Sequence, residues 1–251
     1  VLTAAEIADA SGKDLMLAVA VSWSIQSLLV EKANFMSKGF DHTAQLAYSI
    51  PAAAGKLMGW DTSTIANAIA MAVASDASFA GIRSKPLSEW KGLASAQSAL
   101  GAFNAMYLAQ GGIQGPLTII EGQQGVEHLL GRPIDINWET EGYDWVPQST
   151  IKKFIAMIHT QAPIECLLEL IDQYHIQASD IVSIYADVPQ MTYDFSGGGL
   201  YGNAMGDVTT KEQADHSLPY LLAVAALDGQ VMQPQFRPER ITRDDVQNLM
   251  K

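Results

Sequence analysis

A chain of 251 residues with 27 Asp and Glu against 15 Lys and Arg carries a formal charge of −12. Such a field repels nucleic acid and anionic membrane, and no Lys/Arg-rich run reverses its sign locally. Hydrophobic residues make up 48% of the chain, enough for one large or two medium cores. The single cysteine, Cys166, excludes an intrachain disulfide, a zinc site of several cysteines and an iron–sulfur cluster built from this chain alone. Its place in the apolar run IECLLELI reads as a buried, inert thiol. No stretch approaches about 20 uninterrupted apolar residues. The start VLTAAEIADASGKD lacks the basic and apolar regions of a signal peptide. The expectation is a cytoplasmic protein with neither a membrane nor a nucleic-acid partner.

In chain order, DLMLAVAVSWSIQSLLVEKA is apolar nearly all round, as a helix enclosed by other helices is. The polar break SKGFDHTAQ follows and holds His42, where a loop residue faces a cleft more readily than a helix interior does. WDTSTIANAIAMAVASDA predicts a helix capped by Asp61 or Ser63, with Ile65, Ile69 and Val73 on one face. In KGLASAQSALGAFNAMYLA, Leu93, Ala96, Leu100, Phe103 and Tyr107 recur at helical spacing, which predicts a buried stripe. The composition changes at EGYDWVPQSTIKKF, so a domain boundary is placed near residue 146, dividing 1–145 from 146–251. Beyond it a helix is expected near 160–173. If the helix reaches back to Lys152, then Lys152 and His159 share a face. In DIVSIYADVP, Val182, Ile184, Ala186 and Val188 alternate with polar residues, which predicts a strand. The reading is a mainly α protein: a large all-helical part and a smaller α+β part.

Gly197, Gly199 and Gly202 fit G-x-G-x-x-G. They do not follow a strand directly into a helix, so a dinucleotide site is rejected and a glycine-rich loop preferred. His42, His128, His159, His175 and His216 never stand at H-x-x-x-H spacing, and no metal site is indicated. Asp215 and His216 read as a helix-start pair in which capping is the simpler role. Lys91 is different. Flanked by Trp90 and Gly92 ahead of an apolar helix, it loses hydration and needs an anion, either an internal one such as Glu89 or a substrate carboxylate.

Three separated stretches resemble one family. SEWKGLASAQSALGAFNAMYLAQGGIQGPLTIIEGQQG is similar to the Trp-Lys-Gly helix and following Gly-Pro…Glu-Gly loop of the MmgE/PrpD family. IKKFIAMIHTQ and ADHSLPYLLAVAALDG are similar to its Lys-Lys-aromatic and Ala-Asp-His-Ser segments. Members include 2-methylcitrate dehydratase, cis-aconitate decarboxylase and iminodisuccinate epimerase. The resemblance implies a large helical domain with an α+β lid, no cofactor, and a homodimer. It also implies that family members extend before Val1 and after Lys251.

Carried over residue by residue, the resemblance implies His42, Lys91, His159 and Tyr193 as catalytic. Lys91 and Lys152 match site lysines of the family; holding several carboxylates needs further cations, for which Arg83, with Lys38 a further candidate, is chosen as carboxylate-binding. Met157 stands where the decarboxylase keeps a lid histidine, and HTQ at 159–161 resembles the dehydratase branch. The implied activity is a cofactor-independent hydro-lyase of propionate catabolism that dehydrates 2-methylcitrate or a similar small polycarboxylate. Decarboxylation or epimerisation of a related acid is the alternative within the family. A non-catalytic carboxylate-binding or oligomerisation protein is the alternative outside it. Histidine suits the proton transfers because its pKa lies near neutrality, and each positioned transfer is worth about 10²–10⁴-fold.

Overall fold

A computed structural model describes residues 1–76, 78–142, 144–199, 206 and 208–250. The protein is mainly α. Its helices are α1 (Leu2–Ile7), α2 (Gly12–Ala33), α3 (Leu46–Leu57), α4 (Thr62–Ser75), α5 (Trp90–Gln110), α6 (Val126–Leu130) and α7 (Trp145–Gln148). They continue with α8 (Gln161–Tyr174), α9 (Gln190–Ser196), α10 (Lys211–Ala214), α11 (Leu218–Asp228), α12 (Pro238–Ile241) and α13 (Asp244–Leu249). Contacts divide the chain into one unit of residues 1–81 and 93–149 and another of 82–92 and 150–251. The second unit therefore contains a short strap from the first half of the sequence.

In the first unit α3 packs against both α2 and α4, around a core that includes Leu29, Phe35, Tyr48, Ile50, Ala68 and Met106. Asp61 caps α4 as expected, its Oδ1 accepting from Thr64 N at 2.9 Å. The buried face of α5 is not the predicted stripe. Ala94, Ser98, Ala102, Ala105, Met106 and Ala109 are buried, whereas Leu93, Leu100 and Tyr107 are each more than half exposed. Small residues bring neighbours closer to the helix, as at Gly101, where a Cβ would lie 2.0 Å from Asp76 Oδ2. Helix α2 is also more open than expected, with Met16, Leu17 and Val30 exposed. By length and composition it suffices to cross a membrane.

The second unit is organised around α11, of which Leu218 and Tyr220 through Ala226 are buried. Helix α8 packs on it, and Phe154, Ile164, Val231, Phe236, Ile241 and Val246 complete the core. Helix α8 begins only at Gln161. Lys152 precedes it in irregular backbone, so Lys152 and His159 share no helical face. The Gln161 side chain folds back to hold this segment: its Oε1 accepts from Lys153 N at 3.1 Å and Phe154 N at 2.9 Å. The expected strand at 182–188 is absent, and no strand ladder occurs among the described residues. Alternation requires only that side chains leave in opposite directions, whereas a strand also needs a partner edge. Here Val182 and Tyr185 are both more than 90% exposed. Cys166 is exposed rather than buried, because α8 turns Ile164, Leu167 and Leu168 inward instead. Gly202 of the glycine-rich loop lies outside the described residues.

Candidate functional site

Lys91 occupies the first turn of α5. The approach is anchored by buried Leu87 and by Lys91 N donating to Ser88 O at 3.1 Å. Its side chain is only 14% exposed. Trp90 beside it is itself half exposed; α10 and the residues after it, with Arg83, supply the charged surroundings. Thr210 and Gln213 form a capping box around α10, and Ser217 caps α11 by accepting from Tyr220 N at 3.3 Å. Asp215 and His216 are thus fixed between two consecutive helix starts.

Asp215 gathers the cluster. Its Oδ2 accepts from Lys211 Nζ at 2.6 Å, its Oδ1 pairs with His216 Nδ1, and Lys91 Nζ lies 3.9 Å from Oδ1. The Lys91 counter-charge, sought in Glu89 or a substrate, therefore includes Asp215, an internal acid that the sequence reading took only for a capping residue. At 3.9 Å this is an ion pair beyond hydrogen-bond length, so it leaves the Lys91 N–H donors directed by Coulomb attraction alone. Glu212 completes the group, its Oε1 3.7 Å from Lys211 Nζ. The glycine after Lys91 has a steric reason: a Cβ on Gly92 would sit 2.5 Å from Glu212 Oε1.

Burial pulls the Lys91 ammonium below its ordinary pKa, against the attraction of Asp215, with Lys211 and Arg83 pushing the same way as burial. Burial likewise holds His216 below 6.5, opposed by its bond to Asp215 and helped by the fields of Lys91 and Arg83. His216 is therefore neutral at pH 7. With Nδ1–H donated to the carboxylate, Nε2 carries the lone pair. Asp215 stays ionised: burial alone would raise it, and the bonds from His216 and Lys211 and the charge of Lys91 outweigh that.

Of the residues singled out from sequence, the structure brings Lys91 and Arg83 into one electrostatic group. His159 lies in the turn Ile158–Thr160, stacked on Phe195 with ring centroids 6.1 Å apart; its carbonyl accepts from Thr192 Oγ1 at 3.2 Å. Met157 N donates to Asp215 O at 3.0 Å, which ties this turn to the cluster through the backbone. Tyr193, half exposed on α9, lines a different hollow of about 390 Å³ with Ile184, Val188, Leu218 and Leu222. Lys152 is exposed. His42 belongs to the first unit, where buried Asp41 accepts from Thr43 N and Oγ1 at 3.0 and 2.8 Å and the His42 ring is half exposed. Sequence reasoning missed three residues: Asp215 and His216, read as caps, and Lys85, whose Nζ is buried without a hydrogen-bond partner. An adjacent Asp-His pair carries no periodic signal, and Lys85 is marked only by the Pro that follows it.

Residues 1–139 match the MmgE/PrpD N-terminal domain, and residues 154–251 match the MmgE/PrpD C-terminal domain. The chain belongs to the MmgE/PrpD family. Membership brings a lyase or dehydratase type of function in general terms. The MmgE/PrpD C-terminal match contains α10, Asp215, His216 and the start of α11, whereas Lys91 falls within the N-terminal match. In this member of the family, the cluster therefore joins a residue of one matched domain to residues of the other.

Proposed function

We propose that the protein is a cofactor-independent hydro-lyase that removes water from a small polycarboxylate, 2-methylcitrate or a close analogue. The observation that carries this reading is a cationic group, largely buried Lys91 with the more open Arg83 and Lys211, assembled on buried Asp215 and His216 in a chain of net charge −12. The cations exceed the acids of the cluster, and charge-assisted bonds to carboxylates are the strong ones. Neutral His216 Nε2 takes the proton from the carbon next to a substrate carboxylate, and that C–H electron pair becomes the new C=C bond. The C–O bond breaks on the neighbouring carbon, and the departing hydroxide takes a proton from the Lys91 ammonium and leaves as water. Burial eases that donation by destabilising the charged amine. Both groups return to their starting states by proton exchange with solvent. His42, Lys152, His159 and Tyr193 enter through the family resemblance and carry no assigned step.

The test is incubation of the protein with 2-methylcitrate, cis-aconitate or iminodisuccinate, with products followed by NMR. Dehydration of 2-methylcitrate is expected, and its failure to turn over would sink the substrate assignment. The base must be neutral to act, so kcat/KM is expected to fall as pH drops through a value below 6.5. An acid limb above 6.5 removes His216 as the base.

A further inference from the structure

The first unit contains a second hollow, of about 180 Å³, enclosed by the segment 35–48, the end of α4 and the residues 119–130. Its walls are apolar and aromatic: Phe35, Phe40, Val73, Ile119, Val126 and Leu130. Phe35 packs edge-on to Phe40 at 6.4 Å between centroids and tilted against Tyr48 at 6.0 Å. Three polar side chains also line it, Gln124, Tyr48 and Asp76, and the last two are unusual. Tyr48 is 7% exposed, and neither its Oη nor Asp76 Oδ2 has a hydrogen-bond partner although both atoms are buried. Most buried polar atoms are bonded, so a pair of orphans in one hollow marks a place where a ligand supplies the missing contacts.

The sign of the site decides the ligand. No Lys, Arg or His is among the lining residues, and the negative charge of Glu121 acts on Tyr48. Burial raises Asp76 above the ordinary carboxylate value, the response of an acid that lacks a cation. The carboxylate's position is also held open sterically. A Cβ at Gly101 would lie 2.0 Å from Asp76 Oδ2 and 2.5 Å from its Cγ, so α5 carries no side chain where the acid sits. An apolar cavity of about 150 Å³ takes a benzene ring, and aromatic faces attract cations. We infer that this hollow binds a small organic ammonium, an alkyl- or arylamine, with its apolar body among Phe35, Phe40 and Val126 and its N–H groups donated to Asp76 and Tyr48. The site is separate from the Lys91 cluster and opposite to it in charge.

Benzylamine, benzyl alcohol and benzoate are the probes, titrated into the protein by calorimetry and by amide chemical shifts. Benzylamine is expected to bind at least tenfold tighter than benzyl alcohol, and benzoate not to bind, with shifts centred on Phe40, Val73 and Val126. Asp76→Asn keeps the shape and removes the charge, so it should abolish the amine's advantage and leave benzyl alcohol unchanged; Tyr48→Phe should weaken benzylamine several-fold. The inference fails if benzylamine binds no tighter than benzyl alcohol, if Asp76→Asn binds it as well as the parent does, or if none of the three binds.

Discussion

Replacing His216 with Gln is expected to lower kcat/KM for the polycarboxylate by roughly 10²–10⁴-fold and to remove the acid limb of its pH profile. Gln is close to His in size and still offers a donor to Asp215, so the cap of α11 and the buried carboxylate keep a partner. What it lacks is a titrating nitrogen. Lys91→Met is the companion: it removes the proton donor to the departing hydroxide, worth about 10²–10⁴-fold. It also moves the limb. The Lys91 ammonium is one of the charges holding His216 below 6.5, so its loss lets the imidazole titrate higher and shifts the acid limb to higher pH. Residues that act as one unit are not additive, and the double variant should be little slower than His216→Gln alone. A Lys91→Met protein with kcat/KM within threefold of the parent and an unmoved limb would separate Lys91 from the chemistry.

The helical half of the fold was legible because its signals are local. Apolar spacing and the Asp61 cap placed α4. What the sequence could not carry were relations between distant segments. The stripe Leu93, Leu100, Tyr107 has helical spacing, yet which face is buried depends on what packs there, and the alanine face won because Asp76 and its neighbours come close. The alternation at 182–188 was real but had no partner edge among the described residues. At the site, local sequence established that Lys91 is desolvated and in need of an anion. It did not identify Asp215, far along the chain, as part of the answer. His216 was hidden for the same reason: beside Asp215 and Ser217 it looks like a capping residue, and its other role appears only when Lys91 and Arg83 are brought alongside.

Arg240→Met is expected to give the largest loss of stability in the second unit. The Arg240 guanidinium, 10% exposed, grips Asp228 at the end of α11 through Nε at 2.9 Å and Nη2 at 2.6 Å, and reaches Asp245 Oδ1 at 3.0 Å. Gln235 Nε2 adds a bond to Asp228 at 3.0 Å. Removing the arginine leaves a largely buried carboxylate with one neutral donor, a loss on the order of 3 kcal/mol. Amide exchange of Leu221–Ala226 in α11 should accelerate by roughly 10²-fold, at about 1.4 kcal/mol per decade. Arg243→Met provides the contrast, because Arg243 is 60% exposed and its pair with Asp245 belongs to the class worth about 0–1 kcal/mol. The pH dependence has a fixed sign. Burial would raise Asp228, but the bonds from Arg240 and Gln235 hold it below 3.8, so its contribution is present above that value and is lost as pH falls below it. The gap between parent and Arg240→Met is therefore expected to be full at neutral pH and to close at the acid end. A gap that persists once Asp228 is protonated would mean that Arg240 acts through the packing of its methylenes rather than through its charge.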